Sequence, residues 1–85
     1  MNTPNVQAAL AFNIQQARKK KDMIQRQVAA ALGIKEKRYA SYEEGRATPS
    51  PEVLVSMAKF FEIDDLVSFI TVRGYSSKKL TATSY

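Results

Sequence analysis

The sequence predicts an all-α domain of five short helices, and three observations lead there. Apolar side chains recur at every third or fourth position along most of residues 6–70, the spacing of a single helix face. No strand-like alternation persists before residue 70 and no internal repeat occurs. Local start and stop residues then cut the chain into pieces of ordinary helix length.

Thr3-Pro4 opens the first helix, with a hydroxyl at the cap and Pro at the first helical position, where a missing N–H costs nothing. Val6, Leu10, Ile14 and Ala17 form its apolar stripe. It stops near Lys21-Asp22, because Asp tolerates the left-handed conformation better than most residues. The second helix runs over 25–32 and buries Val28, Ala29 and Leu32, after which Gly33 turns the chain and Ile34 anchors the turn. The third runs over 36–44 and ends at Gly45. Ser50-Pro51 starts the fourth, which buries Val53, Leu54, Met57, Ala58 and Phe61. Asp64 caps a fifth helix carrying Leu66, Val67, Phe69 and Ile70. Phe12 falls off its stripe and Phe60 at the margin of its own; they are expected to close the core against the fifth helix, with an exposed patch for a partner subunit as the alternative. Residues 71–85 read as a flexible tail, with a short strand near Phe69–Val72 that pairs across a dimer as the alternative.

Eighty-five residues form one core, which removes roughly 60–65% of the unfolded chain's surface from water. A domain this small is expected to leave no room for an inducer pocket beside that core. Of the residues, 45% are hydrophobic and 25% charged, a balance that excludes a disordered chain. No apolar run approaches the ~20 residues that cross a bilayer, so no membrane partner is expected. The chain has neither His nor Cys, which removes the usual metal ligands and nucleophile–base pairs. An enzyme, a cofactor and a bound metal are therefore not expected, and a cytoplasmic location is the default.

Charge is distributed unevenly. Residues 1–42 carry eight basic side chains against Asp22 and Glu36, whereas residues 43–70 carry two against six acidic ones. One side of the molecule should attract polyanions.

The segment Gln25–Glu43 is the most informative stretch. Two short helices joined by so tight a turn bring their axes close, so the residue at the crossing must be small, and Ala29 is. Tyr39 and Tyr42 share one face of the third helix and point into the core. At about 100° per residue, Lys37, Ala40, Ser41 and Glu44 then lie on the opposite face. That is a helix-turn-helix, with its second helix shaped for the ~12 Å major groove of DNA.

Residues 13–70 resemble the Cro/CI repressor-like, or XRE-type, helix-turn-helix domain. The matching marks are Ile14 with Arg18, Gln25, Ala29, Leu32-Gly33-Ile34, Tyr42-Glu43, Gly45, and Pro49 ahead of Leu54 and Ala58. The resemblance implies a compact five-helix bundle of the lambda-repressor-like type over 1–70, with the motif at 25–44. It implies that Gln25, at a helix N-terminus, bonds a DNA phosphate. It gives Lys35, Glu36, Lys37, Ala40 and Ser41 the positions that read base edges, with Lys35 also near phosphates. Lys37 suits guanine O6/N7, Glu36 cytosine N4, and the Ala40 methyl a thymine methyl. Arg26, Arg38 and Arg46 suit phosphates. Arg18 and Glu43 match a pair that bridges the first and third helices. With Ala29, Gly33, Ile34, Tyr39 and Tyr42 they form the structural set. Four positions depart from the family pattern: Ile24 and Lys35 stand where Ser or Thr usually caps a helix, Asp22 where Gly is usual, and Tyr39 where Ile or Val is usual. Each lost cap costs about 1 kcal/mol, and Tyr39 needs room and a partner for its hydroxyl.

The function implied is a sequence-specific regulator, a repressor by family likeness, that binds double-stranded DNA as a homodimer on a two-fold operator. The alternative is an antitoxin or phage regulatory protein that acts mainly through a protein partner, suggested by the acidic second half and by Phe60, Phe61 and Phe69.

Overall fold

The computed structural model describes residues 6–76. The Thr3-Pro4 start and residues 77–85 of the tail lie outside them. Five helices appear in order: α1 (Val6–Lys20), α2 (Gln25–Leu32), α3 (Glu36–Glu43), α4 (Pro51–Phe60) and α5 (Leu66–Thr71). No strand occurs among the described residues, and Phe69–Thr71 is helical, which removes the strand alternative there.

The ends of α1 to α4 follow one local rule. Each helix closes with a residue at positive φ, namely Asp22 (58°), Gly33 (71°), Gly45 (76°) and Glu62 (58°). The next residue's N–H then reaches back five positions: Met23 to Arg18 O (3.4 Å), Ile34 to Ala29 O (3.0 Å), Arg46 to Ser41 O (3.0 Å) and Ile63 to Ala58 O (2.8 Å). These are Schellman closures, which satisfy carbonyls the helix leaves unpaired. Glycine adopts the required angle freely at Gly33 and Gly45; Asp22 and Glu62 adopt it against Cβ repulsion. At the starts, the Ser50 hydroxyl accepts from Val53 N (3.3 Å) with Pro51 following. The cap of α5 is Asp65, not Asp64: Asp65 Oδ1 accepts from Ser68 N at 3.1 Å. The Asp64 carboxylate instead takes the Tyr75 hydroxyl.

The core gathers Leu10 and Ile14 from α1, Val28 and Ala29 from α2, Tyr39 and Tyr42 from α3, then Met57, Phe61 and Phe69. α1 packs on α3 and α5, and α2 packs on α3 and α4. Val53, Leu54 and Leu32 are only half-buried and wall this cluster, and Ala58 is half-buried as well. Phe60 packs against it from the margin.

Asn13 is a core residue that the apolar pattern did not flag. It is 1% exposed on the buried side of α1. Its Nδ2 donates to Phe69 O and Val72 O, both at 2.8 Å, and its Oδ1 accepts from Gly74 N at 2.7 Å. A buried amide with its bonds made is cheap, whereas one without them costs roughly 1–3 kcal/mol. Asn13 thus staples residues 69–74 to α1, and Tyr75 stacks edge-on against Phe69 with ring centroids 6.2 Å apart. The tail's first residues are therefore packed through 75. Small size did not exclude a cavity either: an open groove of about 540 Å³ lies between α1, the α4–α5 turn and residues 74–76.

Glu62 supplies a test of the closure rule. Glu62→Gly removes a left-handed Cβ clash of about 1–2 kcal/mol and adds about 0.5–1 kcal/mol of unfolded-state entropy. The net gain of about 0.5–1 kcal/mol is expected to raise the melting temperature by about 2–8 °C. A lower value, measured by calorimetry, would contradict it.

Candidate nucleic-acid interface

The α2–α3 pair presents a helix whose inner face is fixed by packing. Gly33 and Ile34 make the turn, and Ile34 packs against the core beside Ala29. Tyr39 (0% exposed) and Tyr42 (3%) fill the space beneath α3. Every residue of α3 that those two leave outward therefore faces solvent or its rim. Lys35, Glu36, Lys37 and Arg38 are exposed, and Ala40 and Ser41 are half-buried at the edge. The Ser41 hydroxyl donates to Arg38 O at 2.6 Å, which leaves its oxygen free to accept.

The phosphate candidates separate into two groups. Arg26, Lys35 and Arg38 are exposed and appear in no described ion pair. Arg46 is exposed but held by Glu44, its Nε and Nη2 lying 2.7 and 2.6 Å from Glu44 Oε1. The two charges offset one another at the C-terminal edge of α3, which reduces the repulsion a Glu44 carboxylate would exert on a phosphate.

Gln25 is placed by a buried anion. Glu43 has a side chain only 1% exposed. Its carboxylate accepts from Arg18 Nε (2.6 Å) and Arg18 Nη2 (3.1 Å), a two-pronged contact that links α1 to α3. A third donor is Gln25 Nε2 at 3.0 Å, from the first residue of α2. Arg18 Nη1 goes to Met23 O at 2.9 Å, tying in the α1–α2 turn as well. Burial pushes the Glu43 carboxyl up. The Arg18 hydrogen bonds, the adjacent Tyr39 hydroxyl, the Gln25 amide and the Arg18 charge outweigh that push and hold it below the usual carboxylate range. The Tyr39 hydroxyl is buried against this pair without a hydrogen bond of good geometry. Burial, reinforced by Glu43, pushes its pKa well above its usual value near 10 and keeps it protonated.

Both motif helices begin without a side-chain cap, at Ile24 and at Lys35. Gln27 compensates in part, its Oε1 accepting from Ile24 N at 2.9 Å. That contact is the reciprocal half of a capping box, and Gln three residues beyond the cap was its sequence signal. The α2 and α3 N-termini keep outward N–H groups and positive dipole ends suited to an anion.

Residues 14–65 match the family model for the helix-turn-helix. No curated protein and no solved structure matches the chain.

Two outcomes follow from the Glu43 centre. Arg18→Ala leaves a buried carboxylate unpaired and is expected to cost about 3 kcal/mol, the lower end for breaking such a pair; an unchanged denaturation midpoint would refute it. A carboxyl with a lowered folded pKa adds stability that is complete above its ordinary value near 4.5 and is lost as pH falls through the folded value. Glu43→Gln is therefore expected to flatten the decline in stability below about pH 4.5, measured by urea titration at several pH values. An acid limb as steep as the parent's would contradict the assignment.

Proposed function

Because the chain belongs to the Cro/CI-type (XRE) helix-turn-helix family of DNA-binding regulators, we propose that it is a sequence-specific repressor. It binds as a homodimer to a two-fold site in double-stranded DNA, with half-sites about one helical turn (~34 Å) apart. The observation that carries this reading is the outward face of α3, with Lys35, Glu36 and Lys37 exposed above two buried tyrosines.

In this reading α3 enters the major groove. Lys37 donates to guanine O6/N7, Ser41 accepts from an adenine or cytosine amino group, and Ala40 offers its methyl to thymine. Arg26, Lys35, Arg38 and the α2 N-terminus with Gln25 hold the backbone on either side. Gln25 gives one N–H to Glu43 and keeps the other for a phosphate oxygen. Arg46 leaves Glu44 for a phosphate at the groove edge. Val55, Val67 and Val72 are exposed, Val67 at 71%, and offer apolar surface to a second copy. The same valines, beside the acidic residues of 43–70, support the second reading, an antitoxin or phage regulator that meets a different protein there.

Lys37→Ala is expected to weaken binding to a duplex selected from a random pool by about tenfold or more, and binding to random DNA much less. Equal losses on both would make Lys37 a phosphate contact. With ~6 phosphates held, affinity is expected to fall about a thousandfold between 50 and 200 mM salt. A flat response in a fluorescence-anisotropy titration would favour the protein-partner reading.

A further inference from the structure

The groove of about 540 Å³ belongs to a different part of the molecule from the α3 face, since no residue of α2 or α3 lines it. Its volume lies within the range of small-molecule sites, roughly 300–1,000 Å³. The floor is aromatic: Phe61 and Phe69 are buried beneath it, and Phe12, Ile63 and Tyr75 form half-exposed walls. Asn13 also lines it, but both its N–H groups and its oxygen are engaged by the backbone of residues 69–74. The floor therefore offers contact area rather than hydrogen bonds.

The rim is cationic, and each cation is held in place. Lys20 Nζ donates to Ser76 Oγ at 2.9 Å. Lys21 Nζ sits 4.9 Å from the Phe60 ring centroid. Arg73 lies outside the lining and covers the Phe12 ring, its Cζ 4.3 Å from the centroid. An ammonium has three donors, so Lys20 and Lys21 each keep N–H groups for a further acceptor. In the lining Lys20 and Lys21 stand against one carboxylate, Glu62, and the Asp64 carboxylate is taken up by the Tyr75 hydroxyl.

We infer that this groove binds a small amphipathic anion, with its apolar body on the aromatic floor and a carboxylate at Lys20 and Lys21. A body of roughly 10–20 heavy atoms fits the volume. A nucleic-acid backbone does not suit the site, because its hydrophilic phosphates would leave the ring faces uncovered.

The test is an amide-resolved NMR titration of the full chain with decanoate, and with decanol as the uncharged control. Decanoate is expected to give saturable shifts at Ala17, Ile63 and Gly74, and decanol weaker ones at the same amides. Lys20→Gln and Lys21→Gln, both exposed and checked for folding by their melting curves, are each expected to weaken decanoate by up to about fivefold and to leave decanol unchanged. Three results would overturn the inference: no saturation at the groove amides, equal affinity for decanoate and decanol, or shifts spread across the lysines of α2 and α3 with no preference for the groove.

Discussion

The Glu43 carboxylate is the constraint on which the placement of α3 depends. It is buried where α1, α2 and α3 meet, and it accepts from Arg18 and from Gln25 while Arg18 also holds the carbonyl of Met23. A buried ion pair of this kind contributes little net stability over a well-packed apolar substitute, because both charges lose their water. What it adds is register. Apolar contacts among Ile14, Val28 and Tyr39 would tolerate a helix turned by some tens of degrees about its own axis. A two-pronged guanidinium contact at 2.6 and 3.1 Å would not. With Glu43 and Tyr39 fixed inward, the helical period turns Lys37, Ala40 and Ser41 outward.

How much of this was legible in the sequence depends on the range over which each signal acts. The closures at Asp22, Gly33 and Gly45, and the Ser50-Pro51 start, are decided within about six residues and could be read directly. The α5 cap was misplaced by one residue because Asp64 and Asp65 offer the same chemistry. The choice falls to Asp65, which starts the helix where Phe69 reaches the core. Asn13 could not be read, since a polar residue on an apolar stripe looks like a defect until the backbone of residues 69–74 is brought against it. Glu62 was missed as well: Glu rarely adopts positive φ, and only the packing of Ile63 after α4 forces it. On the site side, the exposed part of α3 was legible from the two tyrosines. The hold of Glu43 on Gln25 was not, because the two lie 18 residues apart and only the packing of α2 on α3 brings them together. The groove was missed for a related reason, since residues 74–76 form one of its walls only after the Asn13 staple closes.

α1 is the common support of these arrangements. Arg18 anchors α3 through Glu43, and Asn13, five residues earlier, anchors the segment after α5. Along the chain, basic residues concentrate from α1 to the start of α3, and acidic ones on the elements after Tyr42.

The most direct test is a set of intermolecular NOEs between the labelled protein and a duplex selected from random DNA. The account predicts contacts from Lys37, Ala40 and Ser41 to base protons in the major groove, with the Arg18–Glu43 contact unbroken. Contacts arising from α4 and α5 instead, with α3 silent, would contradict it.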